Sequence, residues 1–156
     1  MLVEVKIGAL IMDPNSNSPI VVLKGVETDT ILPIWVGAFE ANAIALEIEK
    51  IVPQRPMTHD LMKNLISEIG LRVNRVIITD LRENTFYAVI ELTDRDGSLL
   101  SLDARPSDAI ALALRSDCPI FTEQRVLEIS AASSQTEPGF DADSSSASEE
   151  WPDLID

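Results

Sequence analysis

Val3, Val5, Ile7 and Ala9 alternate with Glu4, Lys6 and Gly8, the period-two pattern of a half-buried strand. The stretch D-P-N-S-N-S-P at residues 13–19 has the composition of a turn, so residues 20–26 read as the returning strand. A second turn at residues 27–30 leads to a third strand at 31–36. After Gly37 the period changes: Ala41, Ile44, Ala45 and Ile48 recur at helical spacing within residues 38–51, and Pro53 and Pro56 close that segment. Thr58 opens a second helix that runs to about residue 69, with Gly70 as its stop signal. Residues 72–80, 85–93 and 98–103 read as three short strands separated by turn-like stretches around Glu83-Asn84 and Asp94-Arg95-Asp96-Gly97. The segment L-D-A-R-P-S-D-A-I-A-L-A-L-R at 102–115 supplies the last substantial helix. Its alanines favour a helix, Pro106-Ser107-Asp108 is a start signal, and a run apolar all round predicts burial. The expected fold is α+β: two antiparallel β-meanders forming a sheet or partial barrel packed with three main helices.

A chain of 156 residues with 46% hydrophobic residues suffices for one globular core. It contains no run of about 18 apolar residues, so no membrane span is expected. Its alternating N-terminus is unlike a signal peptide. One cysteine, Cys118, allows neither an internal disulfide nor a cysteine-based zinc site, which fits a reducing cytoplasm. The net charge is −14, but seven of the 26 acids and none of the 12 bases lie in residues 131–156, so half of that charge belongs to this segment. Rich in Ser, Asp and Glu and without apolar periodicity, residues 131–156 are expected to form a disordered acidic tail behind a domain at 1–130. The terminal W-P-D-L-I-D sets three large apolar residues among acids, a candidate docking motif for a protein partner. Because the domain itself remains acidic, a phosphate-bearing ligand would need local arginines or divalent cations.

Two stretches share one local grammar of arginine, proline, a hydroxyl and a carboxylate at a helix start. They are Arg55-Pro56 with Thr58 and Asp60, and Arg105-Pro106 with Ser107 and Asp108. Glu40 lies near the start of the first helix. If these three helix ends meet, carboxylates from Glu40, Asp60, Asp103 and Asp108 could hold Mg²⁺ or Mn²⁺, and Arg55 and Arg105 could hold a phosphate. His59, the only histidine, is suited to proton transfer, with Asp60 and Asp108 as candidate catalytic companions. The plainer alternative is that the acids cap helices, Ser107 acts as a cap, and Arg105 pairs with Asp103 or Asp108. Nucleophile-elbow, Walker and dinucleotide glycine motifs are absent, and Cys118 before Pro119 reads as a small core residue.

The motifs L-P-I-W-V-G-A-F-E-A-N-A-I-A-L-E-I-E-K, R-P-M-T-H-D-L-M, F-Y-A-V-I-E-L and L-D-A-R-P-S-D-A-I-A-L-A-L-R-S-D-C-P-I closely resemble the bifunctional nuclease (BFN) domain family, which also circulated as a domain of unknown function. The resemblance covers about residues 1–128 and implies an α+β fold and cleavage of both DNA and RNA, with nucleic acid as the partner. It supplies no catalytic mechanism, and the acidic tail lies outside it. Three functional classes follow: a metal-assisted phosphodiesterase, a non-enzymatic regulatory or assembly module that forms a homodimer or binds partners through its meander edges, and an anion or nucleotide sensor without turnover.

Overall fold

The computed structural model describes residues 1–134. Its strands are β1 (Leu2–Met12), β2 (Pro19–Gly25), β3 (Ile31–Trp35), β4 (Arg72–Arg82), β5 (Thr85–Thr93), β6 (Leu99–Ala104) and β7 (Ile120–Glu123). Its helices are α1 (Ala38–Ile48), α2 (Thr58–Glu68), α3 (Pro106–Ser116) and α4 (Gln124–Ser134). Both expected meanders form, β1–β2–β3 and β4–β5–β6, each antiparallel throughout. The short strand β7 joins them, antiparallel to β1 and parallel to β4, giving one open sheet in the order β3-β2-β1-β7-β4-β5-β6. No helix among the described residues is long and apolar enough to cross a membrane.

Two elements lie outside the expected set. Strand β7 has four residues, too few to display a period, and it exists because β1 and β4 supply hydrogen-bonding edges on both sides. Helix α4 follows it directly and seats Val126 and Leu127 in the core. It continues to Ser134, so the first four residues expected in the tail are helical. The rest of that segment, including the W-P-D-L-I-D motif, falls outside the described residues.

The core forms between the sheet and the helices. Val21, Leu23, Val76, Ile78, Ala88 and Ile90 are buried on the strands, and α3 lies over β4 and β5 with α1 and α2 flanking it. Small residues at Ala109, Ala111 and Ala113 let neighbouring elements approach α3 closely, and all three are buried. Chain reversals match the sequence cues: Gly70 ends α2 at φ +85° and Gly97 turns β5 toward β6 at φ +82°, a region that favours glycine.

One charged side chain is buried in this apolar helix. Arg115, in the last turn of α3, is 8% exposed. Its Nε donates to Asp60 Oδ1 of α2 at 2.8 Å, Nη2 to the Ala43 carbonyl of α1 at 2.9 Å, and Nη1 to the Ala111 carbonyl one turn back at 2.9 Å. The other oxygen of Asp60, Oδ2, accepts the Met57 N–H at 3.0 Å, which satisfies a free donor at the start of α2. Burial raises the Asp60 pKa, but the Met57 N–H and the Arg115 guanidinium together outweigh it and hold the carboxyl below its ordinary 3.8.

Replacing Arg115 by Met keeps the stem but takes the guanidinium from Asp60 Oδ1 and the second donor from the helical carbonyls of Ala43 and Ala111. Urea unfolding should show a loss of about 3 kcal/mol, the scale for breaking a largely buried ion pair from one side. Because the folded chain holds the Asp60 pKa below its unfolded value, this carboxylate stabilises the fold above pH 3.8 and its contribution fades as pH falls through the folded value. Wild-type stability should therefore fall more steeply on acidification than that of Asp60→Asn, so that the gap between them at neutral pH narrows below about pH 4. Thermal melts of both proteins across that range check this.

Candidate functional site

Three helix beginnings converge. Helix α1 starts behind Gly37, its N-cap, and a side chain at that position would collide with the Glu40 carboxylate, which folds back over the helix start. Helix α2 presents His59 in its first turn. Helix α3 starts at Pro106 with Arg105 as N-cap and Asp108 in the first turn.

The side chains form a chain of contacts. His59 Nε2 lies 2.9 Å from Asp108 Oδ1. Asp108 Oδ2 accepts from Arg105 Nε at 3.0 Å and lies 3.0 Å from Nη2, a two-pronged guanidinium–carboxylate pair. Arg105 Nη1 then reaches across to Glu40 Oε1 at 3.2 Å. Hydrogen bonding to Asp108, followed by the charges of Asp108 and Glu40, raises the Arg105 pKa above its already high ordinary value, so it stays a cation. The histidine side chain is 12% exposed and that of Arg105 64%, so the ring is held from behind while the guanidinium faces solvent.

The seven residues singled out from sequence divide into three groups. Glu40, His59, Arg105 and Asp108 come together. Asp60 is next to His59 in the chain but points the other way, to Arg115 and the Met57 N–H. Arg55 is exposed in the loop before α2, and Asp103 is exposed on β6 opposite Val89; among the described residues neither makes an ion pair or side-chain hydrogen bond. Arg105 pairs with Asp108, and Glu40 takes the place that Asp103 was expected to offer. Ser107 is not the cap of α3: it lies inside the first turn and is buried.

No three His, Cys, Asp or Glu side chains among the described residues are placed to hold a metal ion together. The expected set of Glu40, Asp60, Asp103 and Asp108 is thus not gathered as a quartet. Glu40 and Asp108 remain as a pair, bridged by Arg105. Cys118 is partly buried against the core, and burial pushes its thiol up to about 11, so it is protonated at neutral pH.

Sequence reasoning left out Arg115, the residue that positions α2. Its signal is visible in retrospect as the one arginine closing a run of buried alanines and leucines. A cation on such a helix must find acceptors inside the molecule.

The bifunctional nuclease domain model matches residues 21–135 of the chain. An uncharacterized protein of Mycobacterium tuberculosis is 43% identical over 124 residues, covering 80% of this chain and 73% of that protein. Bifunctional nuclease 1 of Arabidopsis thaliana is 29% identical over 105 residues, covering 65% of this chain and 32% of the plant protein. Bifunctional nuclease 1 of Oryza sativa subsp. japonica is 29% identical over 101 residues, with 64% and 30% covered. The matched part is therefore about a third of each plant protein. With the match spanning most of the folded residues and the whole cluster of Glu40, His59, Arg105 and Asp108, the chain belongs to the bifunctional nuclease domain family.

Proposed function

We propose that the chain hydrolyses phosphodiester bonds of DNA and RNA at the meeting point of the α1, α2 and α3 N-termini. The observation that carries this reading is the relay His59–Asp108–Arg105, a proton-transfer group tied through one carboxylate to an exposed cation. The names of the plant relatives support the substrate class.

Arg105 is the phosphate-facing group. The Ser107 and Asp108 N–H groups precede the first intrahelical bond of α3, Ala109 N–H to the Arg105 carbonyl, and add partial positive charge beside it. Arg55, exposed on the loop before α2, is the second candidate phosphate contact. With Nε2–H of His59 donating to Asp108, the Nδ1 lone pair is free to accept a proton from the attacking water. The water oxygen bonds to phosphorus, the bond from phosphorus to the departing sugar oxygen breaks, and the proton held on His59 passes to that oxygen. Gripping only phosphate tolerates either sugar, since phosphate contacts carry no base information.

Glu40 and Asp108 fit a Mg²⁺ or Mn²⁺ ion in the way small divalent cations are commonly held, by one or two carboxylates with substrate phosphate and water completing the shell. Such an ion would supply neutralisation of phosphate charge and a more acidic water. Binding would require Arg105 to release the carboxylates and turn to the phosphate.

A second reading has an observation of its own. Arg105 is already neutralised by Glu40 and Asp108, as a stabilising ion-pair network in a regulatory or anion-sensing module would be. Turnover decides between them. Asp108→Asn and His59→Ala should each reduce cleavage of single-stranded DNA and RNA by about 10² to 10⁴-fold while leaving thermal unfolding within a few degrees of wild type. Nucleic acid bound without cleavage by the wild type, or cleavage indifferent to both changes, would remove the hydrolytic reading. Chelation should abolish cleavage and added Mg²⁺ or Mn²⁺ restore it. Full activity in chelator would leave Arg105 as the cation at the phosphate.

A further inference from the structure

Phe39, in the first turn of α1, is 88% exposed. A single apolar side chain on a surface is ordinary, so its surroundings decide whether it has a role. The other aromatic side chains among the described residues have partners. Trp35 donates through Nε1 to Asp13 Oδ2 at 3.1 Å, and Phe86 packs against the core. The Arg82 guanidinium lies 4.5 Å from the Tyr87 ring centre, and that of Arg75 lies 5.5 Å from the centre of Phe121. The Phe39 ring is left facing water.

Its place follows from the helix. Phe39 stands one turn before Ala43, which packs in the core, so the stripe of α1 that meets the interior at Ala43 runs out into solvent at Phe39. Helical side chains lean toward the N-terminus of their helix, and in the first turn this directs the ring toward the space ahead of the converging helix starts. Glu40, the next residue, folds back over the start of α1 and meets Arg105 Nη1 at 3.2 Å. Consecutive Cα atoms are about 3.8 Å apart, so the ring is rooted beside the residue whose carboxylate holds the exposed guanidinium.

A nucleic acid strand carries phosphates and bases in alternation. A guanidinium suits the phosphate, and a flat aromatic face suits the base. In a duplex each base is covered on both faces by its neighbours and only its edges open into the grooves. A base of a single strand can be splayed out and laid on a ring. Stacking also suits the charge of this chain. At a net charge of −14 it gains little from general attraction to a polyanion, whereas affinity from stacking involves no formal charge on the protein.

We propose that Phe39 is a base-stacking residue and that the site therefore selects single-stranded DNA or RNA, with a phosphate at Arg105 and an adjacent base on the Phe39 ring. This rests on the reading of the cluster as a nucleic-acid site and holds whether or not the strand is cut there. Every base has a π-face, so the contact tolerates any sequence. It leaves the sugar untouched, which keeps both kinds of strand acceptable. What Phe39 adds to the phosphate contact is a preference for unpaired over paired bases.

Fluorescence anisotropy of the full chain with three labelled probes tests it: a short oligothymidylate, its abasic counterpart with the same phosphates, and a duplex. Thermal unfolding verifies each variant, and so exposed a side chain can be replaced without loss of the fold. The wild type should bind the oligothymidylate about tenfold more tightly than either other probe. Phe39→Ala should remove that advantage and leave the abasic strand and the duplex bound as before, and Phe39→Trp should restore it. The loss should be the same at about 50 and 200 mM salt, because no charge has been removed. Equal losses on all three probes, or no loss on any, would overturn the stacking role while leaving the nucleic-acid reading in place. A wild type that binds none of the probes would overturn both.

Discussion

The guanidinium of Arg115 is the constraint on which the rest of the molecule turns. Its planar fork serves three helices at once, reaching Asp60 on α2, Ala43 on α1 and Ala111 on its own helix. Lysine could not make these three directed bonds from one compact ammonium. The consequence is greatest for α2, which gives the core only the partly buried Met62 and Ile66 and no fully buried side chain. His59 and Asp60 are consecutive, so their side chains point about 100° apart round the helix. One grips Asp108 near the start of α3 and the other Arg115 near its end, seven residues on, or roughly 10 Å along the axis. Two grips at that separation fix both the position and the rotation of α2.

Three helix starts in one place concentrate partial positive charge, and the structure answers it with first-turn carboxylates from Glu40 and Asp108. Those two acids in turn hold Arg105, which remains the most solvent-facing member of the cluster. Glu40 and Asp108 together outnumber Arg105, so the cluster presents an exposed guanidinium without reversing the acidic charge of the chain. Asp60 differs from Asp108 in its partners: its two oxygens hold the Met57 N–H and Arg115, which keep α2 in place.

Local pattern carried most of the fold. Period-two stretches gave both meanders, helical spacing and proline gave α1 and α2, and the alanine-rich run gave α3, because each of those signals lies within the element that it forms. Strand β7 was not legible: its four residues become a strand only through edges offered by β1 and β4, more than forty residues distant in sequence from one or both. The candidate site divided in the same way. Shared grammar at two helix starts pointed to Arg105, His59 and Asp108, but nothing local distinguished Asp108, turned to His59, from Asp60, turned to Arg115, since that choice is made by the rotation of one helix against another. Glu40 found its partner 65 residues away, a separation that pattern does not reveal.

The central claim is that Arg115, through Asp60, sets the rotation of α2 that delivers His59 to Asp108. His59 is the only histidine in the chain, so its ring resonances in a nitrogen–proton NMR spectrum need no assignment by elimination. Recording them in wild type, Asp108→Asn and Arg115→Met at neutral pH tests the claim directly. The Arg115→Met ring signals should move from their wild-type positions toward those of Asp108→Asn, reporting a lost Nε2 contact in a protein whose His59 and Asp108 are both intact. Ring signals unchanged in Arg115→Met would contradict it and leave the placement of α2 to its apolar contacts alone.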